Sequence, residues 1–140
     1  PPRSTLFPYT TLFRSEAVNS IINEYHIETR NIIVISDEYN FPVGKVHLRF
    51  NGGDGGHNGL ISIIEELDSA DFFRLRCGIG KNFSEGEMAD YVLSDFIEDE
   101  YELKKIMIIK AVESIEHLIT VGENRAMSEI NSGSLWDKKE

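Results

Sequence analysis

The sequence contains few cysteines and no long apolar run, and each shortage excludes a class of protein. Its 140 residues include one Cys, so no disulfide can form within the chain, and a cytoplasmic protein is expected. No stretch approaches the roughly 20 apolar residues of a transmembrane helix, so no membrane partner is expected. Pro2 and Pro8 interrupt any apolar core of a secretory signal near the start. The length suits one domain with a modest core.

Cations are also scarce. The chain has 14 Lys and Arg against 24 Asp and Glu, a formal net charge of −10, which excludes a uniformly basic nucleic-acid-binding protein. The charge is uneven, because residues 84–102 hold eight acidic residues and no Lys or Arg. A local positive face is therefore possible, and any RNA binding should be weak and sensitive to salt.

Three segments of the chain have strand patterns. Residues 32–35 are four apolar residues, all of them β-branched, which predicts a strand buried on both faces with Asp37 at its end. Residues 43–50 alternate, so Val46, Leu48 and Phe50 face inward and a basic face points outward. In residues 74–79 the alternation predicts Leu75, Cys77 and Ile79 inward and Arg74 and Arg76 outward. Cys77 is then a buried thiol and not a nucleophile.

Helical patterns occupy residues 16–25, 60–67 and 99–121. In the longest of them, Ile108, Val112, Ile115 and Ile119 predict the buried stripe, and Gly122 is a plausible cap. The glycine-rich segment NGGDGGHNG at 51–59 leads into the second helix, whose first backbone N–H groups suit an oxyanion or phosphate. A P-loop is excluded, because no Lys followed by Ser or Thr comes after the glycines.

Several motifs in this order resemble the bacterial-type peptidyl-tRNA hydrolase family. They are DE at 37–38, PVG at 42–44, the basic strand at 45–49, GGDGGHNGL at 52–60, FRLRCGIG at 73–80 and DYVL at 90–93. The resemblance covers roughly residues 16–131. It implies a single α/β domain, a twisted mixed β-sheet flanked by helices, which here is expected to lack its N-terminal strand and helix.

The two ends of the chain fall outside this resemblance. Residues 1–15 repeat TLF at 5–7 and 11–13, have no helical or alternating period, and are expected to be a non-native or disordered segment. The alternative is a short native arm. Residues 132–140 are expected to form a polar C-terminal tail, and the lone Trp136 either docks on the surface or contributes nothing.

The resemblance also implies a reaction, the hydrolysis of the ester between a peptide and the terminal ribose of tRNA. Asp37 matches the residue that orients a general-base His, an arrangement related to the base–orienter pair of catalytic triads. Asn58 and His57 match residues that contact the substrate, and Arg49 and Arg76 match positions that clamp a tRNA phosphate. The family needs no cofactor, no metal spacing occurs among the His and Cys residues, and a monomer with tRNA as its partner is expected.

Each of these residues has a structural alternative. Asp37 could cap a turn, His57 and Asn58 could cap a helix, and Arg49 and Arg76 could form a solvated strand face. The Thr-Arg-His-Asn motif that carries the family's general base is absent from the sequence, and His57 is a weak substitute. We therefore expect this chain to be inactive as a hydrolase. The alternative function is a non-catalytic RNA-binding or splicing-type assembly protein on the same scaffold.

Overall fold

A computed structural model describes residue 3 and residues 11–137 of the chain. The helices are α1 (Thr11–Tyr25), α2 (Asn58–Leu67), α3 (Met88–Leu93), α4 (Tyr101–Val121) and α5 (Glu123–Ser132). The strands are β1 (Ile33–Glu38), β2 (Val46–Phe50) and β3 (Phe73–Gly78). Short 3-10 helices span Thr29–Asn31 and Glu98–Glu100.

The three described strands form one mixed sheet in the order β1-β3-β2. β1 runs parallel to β3, with Asp37 beside Cys77, and β2 runs antiparallel to β3, with His47 beside Arg76. The parallel connection from β1 to β3 contains α2, as such crossovers usually contain a helix. The predicted α/β class, with a mixed sheet flanked by helices, is confirmed.

The core lies on one face of the sheet, under α4 and α5. Its fully buried members are Val46, Leu48, Phe73, Leu75, Cys77, Met107, Ala126 and Ile130. The predicted alternation of β2 and the buried thiol of Cys77 are thus confirmed. Asn131 of α5 also holds the outer side of β2, since its side-chain amide accepts from Leu48 N at 2.7 Å and donates to Leu48 O at 2.8 Å.

The prediction that β1 is buried on both faces is wrong. In the described structure β1 pairs with a strand on one side only, and Ile35 is 40% exposed. The strand also continues beyond the apolar run, so Asp37 lies within β1 and not after it. The apolar run at 32–35 therefore predicted the strand correctly, but it did not predict that β1 lies at an edge of the described sheet.

The prediction that Arg74 points outward to solvent is also wrong, because this side chain is 2% exposed. Its guanidinium donates to the backbone carbonyls of Gly52 and Gly53, so the glycine-rich loop covers it. Alternation along β3 places Arg74 on the correct face, but this face is covered by a loop that a strand pattern does not reveal.

The helices differ from their predictions in three ways. α1 begins at Thr11, earlier than residue 16. The stripe predicted for α4 is wrong, because Ile108, Val112 and Ile119 are exposed, and the helix packs through a neighbouring set that includes Met107, Ala111, Ser114 and Leu118. α5 was not predicted. The domain limits proposed from the sequence stay predictions.

Both ends of the described structure contact the rest of the domain. Leu135 and Trp136 pack against the core, and the Trp136 indole N–H donates to a Glu113 carboxylate oxygen at 2.6 Å. Ser15 is buried beside Ser62 of α2, with 2.7 Å between their hydroxyl oxygens. The rest of the predicted N-terminal segment and of the tail, residues 1–2, 4–10 and 138–140, lies outside the described residues.

Candidate active site

An imidazole–carboxylate pair lies where the C-terminal end of β1 meets the start of α2. His57 Nε2 is 2.8 Å from Asp37 Oδ1, and both side chains are partly buried, Asp37 more than His57. The two residues are 20 positions apart in the sequence, so the fold creates this contact. It gives Asp37 a role beyond that of a turn cap.

The glycine-rich loop determines where His57 lies. Gly55 and Gly56 have φ values of 61° and 79°, which side chains with a Cβ rarely adopt. Asp54 closes the turn, because its carboxylate accepts from Gly56 N at 2.7 Å and its carbonyl accepts from His57 N at 3.0 Å. His57 then caps α2, with Nδ1 accepting from Leu60 N at 3.3 Å. The helix-cap interpretation is confirmed, and the same side chain also contacts Asp37.

These two contacts determine the tautomer of His57. The proton of a neutral imidazole lies on Nε2, because Asp37 accepts there, and the lone pair of Nδ1 accepts the Leu60 N–H. The hydrogen bond and charge of Asp37 raise the pKa of His57 above its ordinary 6.5, and burial opposes this rise. The pair therefore holds the ring in one orientation and stabilises its protonated form.

The sheet face beside this pair carries the basic residues of β2 and β3. Arg76 donates to His47 Nδ1 at 2.9 Å, approaches a Glu38 carboxylate oxygen at 3.5 Å and lies over the Phe41 ring at 4.8 Å. Burial and the neighbouring cations Arg76, Lys45 and Arg49 lower the pKa of His47 to about 4. His47 is therefore a neutral acceptor that holds Arg76 in place.

Sequence reasoning placed His47 and Arg74 on this face but did not include either of them among the candidate site residues. The alternation of β2 and β3 gave the available signal, since it places them beside the predicted Arg76 and Arg49. Arg49 itself is exposed, and its guanidinium lies against Gly52, where a Cβ would be only 2.5 Å from Arg49 Cζ. Gly52 therefore leaves the space that the Arg49 side chain occupies.

A cleft of about 600 Å³ joins the carboxylate, the imidazole and the arginines. All five residues predicted from the sequence line it, namely Asp37, Arg49, His57, Asn58 and Arg76. Their roles stay predictions. Met88, Ala89, Val92 and Leu93 of α3 also contribute to its lining. The cleft thus combines an acid–base pair, positive charge and an apolar wall.

Two further properties of the described part of the chain concern possible ligands. Within residue 3 and residues 11–137, no three His, Cys, Asp or Glu side chains are placed together as a metal site would require. None of the helices in that part is both long and apolar enough to cross a bilayer.

An α/β domain with an imidazole–carboxylate pair in a cleft lined by arginines has the features of a binding site for an anionic ligand. The sequence profile of the peptidyl-tRNA hydrolase family matches residues 6–139. The chain belongs to the peptidyl-tRNA hydrolase family. This membership confirms the resemblance identified from the motifs.

Individual relatives agree with this assignment. The chain is 40% identical over 116 residues to the peptidyl-tRNA hydrolase of Pseudothermotoga lettingae, covering 83% of this chain and 62% of the relative. It is 39% identical over 117 residues to the peptidyl-tRNA hydrolase of Dichelobacter nodosus, and the match covers 84% of this chain and 62% of that relative. The crystal structure of peptidyl-tRNA hydrolase from Acinetobacter baumannii superposes with a TM-score of 0.78 at 32% identity, covering 89% of this chain and 64% of that one. The chain thus spans about 62% of the length of the curated relatives that it matches.

Proposed function

We propose that this protein binds peptidyl-tRNA and takes part in hydrolysis of the ester between the peptide and the tRNA, which returns tRNA to translation. Membership of the family supports the substrate class. The observation that carries the proposal is the contact between Asp37 and His57 in a cleft that Arg49 and Arg76 also line. The relatives reported above are named as hydrolases, so they do not support the splicing-type alternative.

Arg49 and Arg76 are the proposed phosphate contacts. Buried Nε of Arg76 and Oγ of Ser36 have no hydrogen-bond partner in the described structure, and the two residues are neighbours across β1 and β3. Both residues line the cleft. The guanidinium groups of Arg49 and Arg76 can donate charged hydrogen bonds to a phosphate or carboxylate oxygen in this cleft. An anionic substrate therefore suits this wall of the cleft.

Asp37, His57 and Asn58 are the proposed contacts at the reacting end of the substrate. Asp37 fixes an imidazole, as an orienting carboxylate does, and Asn58 begins α2 next to that imidazole with an exposed side chain. Asn58 can both donate and accept a hydrogen bond, which suits placement of a substrate hydroxyl or of water.

We propose in addition that hydrolysis by this chain is slow. A general base needs a lone pair that can take a proton, and in the neutral form of His57 that lone pair, on Nδ1, accepts the Leu60 N–H, so proton transfer to His57 would break the cap of α2. His47 contacts Arg76, His117 contacts Glu129 at 2.6 Å, and His26 lies in the loop after α1. Loss of a general base typically slows a reaction by about 10²- to 10⁴-fold.

Binding of a tRNA that carries an N-blocked amino acid tests the substrate class. We expect saturable binding that weakens about tenfold in Arg76→Ala and less in Arg49→Ala, since charged hydrogen bonds contribute about 1.5–3 kcal/mol. Lys105→Ala is the matched control, because Lys105 is an exposed cation on α4. Fluorescence anisotropy with labelled tRNA measures the Kd values. Equal affinity in all four proteins would contradict the assignment of the cleft.

A further inference from the structure

A second pocket, formed by residues 79–100, surrounds the guanidinium of Arg3. Arg3 is 3% exposed. Its Nε donates to Ile79 O at 3.3 Å, Nη1 donates to Ser94 Oγ at 2.8 Å and to Asp95 O, and Nη2 donates to Glu100 Oε2 at 2.6 Å. Its backbone N–H also donates to Ser94 O at 2.6 Å.

Two aromatic rings complete the pocket. Arg3 Cζ lies 4.3 Å from the centroid of the Tyr91 ring and 5.1 Å from that of Phe96. This arrangement matches a planar guanidinium, which has five donors in fixed directions. Oxygen atoms accept hydrogen bonds around its edge, and the aromatic rings lie within cation–π distance. The ammonium group of a lysine has only three donors and is not planar, so it can make only some of these hydrogen bonds and ring contacts.

The wall residues also make hydrogen bonds with one another in which Arg3 takes no part. Tyr91 Oη donates to Ile79 O at 2.8 Å, and Ser94 Oγ donates to Tyr91 O at 2.6 Å. The Ser94 hydroxyl therefore presents a lone pair to the guanidinium. Glu100 Oε2 also accepts from Ile97 N at 3.0 Å, which orients the carboxylate.

Gly80 makes the position of Tyr91 possible. Its φ is +82°, and a Cβ at this position would lie 2.7 Å from Tyr91 Oη. A side chain at residue 80 would thus displace the ring that stacks on Arg3. The pocket is therefore built from the turn after β3 and from residues 91–100 of the acidic segment.

We propose that residues 79–100 form a guanidinium-binding site for an arginine side chain, separate from the candidate active site. Arg3 occupies the site from within the same chain. All of the wall residues lie in 79–100, so the site is a property of the domain and accepts other arginine ligands when Arg3 is replaced. α3 joins the two sites, because Tyr91 contacts Arg3 while Val92 and Leu93 line the cleft.

Full-length Arg3→Ala, which leaves the site without its own ligand, tests this proposal. We expect Nα-acetyl-arginine amide to bind this variant with a Kd on the order of 1 mM, as suits a small ligand with one buried charged group. Nα-acetyl-lysine amide should bind at least tenfold more weakly, and the wild-type protein should bind neither. Isothermal titration calorimetry measures all four combinations. Equal binding of both amides, or no binding of the arginine amide, would overturn the proposal.

A pair of substitutions in the Arg3→Ala background assigns the carboxylate. Glu100→Gln should weaken binding of the arginine amide at least tenfold, whereas Glu98→Gln should leave it unchanged, because Glu98 lies exposed on the same 3-10 helix. Loss of affinity in both variants, or in neither, would contradict a specific site.

A measurement on the wild-type protein does not depend on any variant that folds poorly. In NMR spectra the Nε–H signal of Arg3 should exchange with water at least tenfold more slowly than that of Arg30, whose side chain is exposed. Comparable exchange rates for the two arginines would show that the guanidinium is not enclosed.

Discussion

At the scale of single residues, two histidines on neighbouring elements have opposite electrostatic surroundings. His57 contacts a carboxylate, and His47 is partly buried among Arg76, Lys45 and Arg49. The first arrangement raises the pKa of the imidazole and the second lowers it. One imidazole is therefore prepared to carry charge, while the other serves as a neutral acceptor.

These directions predict the titration of the two rings. The imidazole carbon signals of His57 should titrate above pH 6.5, and those of His47 should titrate near pH 4. Two-dimensional proton–carbon NMR follows both rings. In Asp37→Asn the midpoint of His57 should fall toward 6.5 or below. A midpoint for His57 that does not respond to this substitution would contradict the contact with Asp37.

The raised pKa also determines the sign of a stability effect. The pKa of His57 is higher in the folded than in the unfolded protein, so the native protein binds this proton more tightly. The resulting contribution to the free energy of unfolding is fully present below about pH 6.5 and is lost as pH rises through the raised pKa. The difference in unfolding free energy between the wild-type protein and His57→Gln should therefore shrink between pH 6 and 9. Urea unfolding at several pH values measures it.

At the scale of secondary-structure elements, α4 has two stripes of residues with the same helical period, and the fold buries one of them. Met107 is fully buried and its neighbour Ile108 is 43% exposed. The stripe through Ile108, Val112, Ile115 and Ile119 has the same helical period as the stripe through Met107, Ala111, Ser114 and Leu118. Periodicity alone could not choose between them, since the sheet determines which side is covered.

Adjacent substitutions distinguish the two stripes. Met107→Ala should lower the free energy of unfolding by about 2–4 kcal/mol, because it leaves a cavity in the core. Ile108→Ala should lower it by less than about 1 kcal/mol, because the side chain already contacts water. Chemical denaturation of both variants gives the comparison. Equal losses would mean that both stripes are covered in solution.

β2 is held at its outer side by a side chain in place of a neighbouring strand. Asn131 both donates to and accepts from the Leu48 backbone, as a paired strand would. Asn131→Ala should destabilise the protein by about 1–3 kcal/mol, since it leaves two backbone groups without partners. Asn23→Ala on the exposed surface of α1 is the control. Urea unfolding that gives the same loss for both variants would exclude this role for Asn131.

How far the sequence predicts these elements depends on what covers them. The alternation of β2 was enough to orient Val46 and Leu48, because one face of this strand meets the core. The alternation of β3 gave the correct face for Arg74 but did not predict that this side chain is buried, because the loop that covers it contributes no periodic signal of its own. The cleft residues could be listed from motifs, but the contact of Asp37 with His57 depends on how β1 and α2 meet in space.

At the scale of the whole molecule, the net charge of −10 repels nucleic acid, and the sheet face must overcome this repulsion locally. Arg49 and Arg76 lie in the cleft, while the acidic segment at 84–102 supplies Glu100 to a different pocket. A few phosphate contacts on an acidic protein should give weak binding that salt readily reduces. We therefore expect the tRNA contact proposed above to be a local one at the cleft and not a wide RNA interface.

Single-turnover hydrolysis of a tRNA carrying an N-blocked amino acid tests the central claim most directly. The claim is that Asp37 holds His57 with its lone pair already used, so the cleft binds the substrate without an effective base. We predict a rate at least about 10²-fold below that of the Pseudothermotoga lettingae enzyme, with little further change in His57→Gln. A rate close to that of the relative, lost in His57→Gln, would contradict the account and make His57 the base.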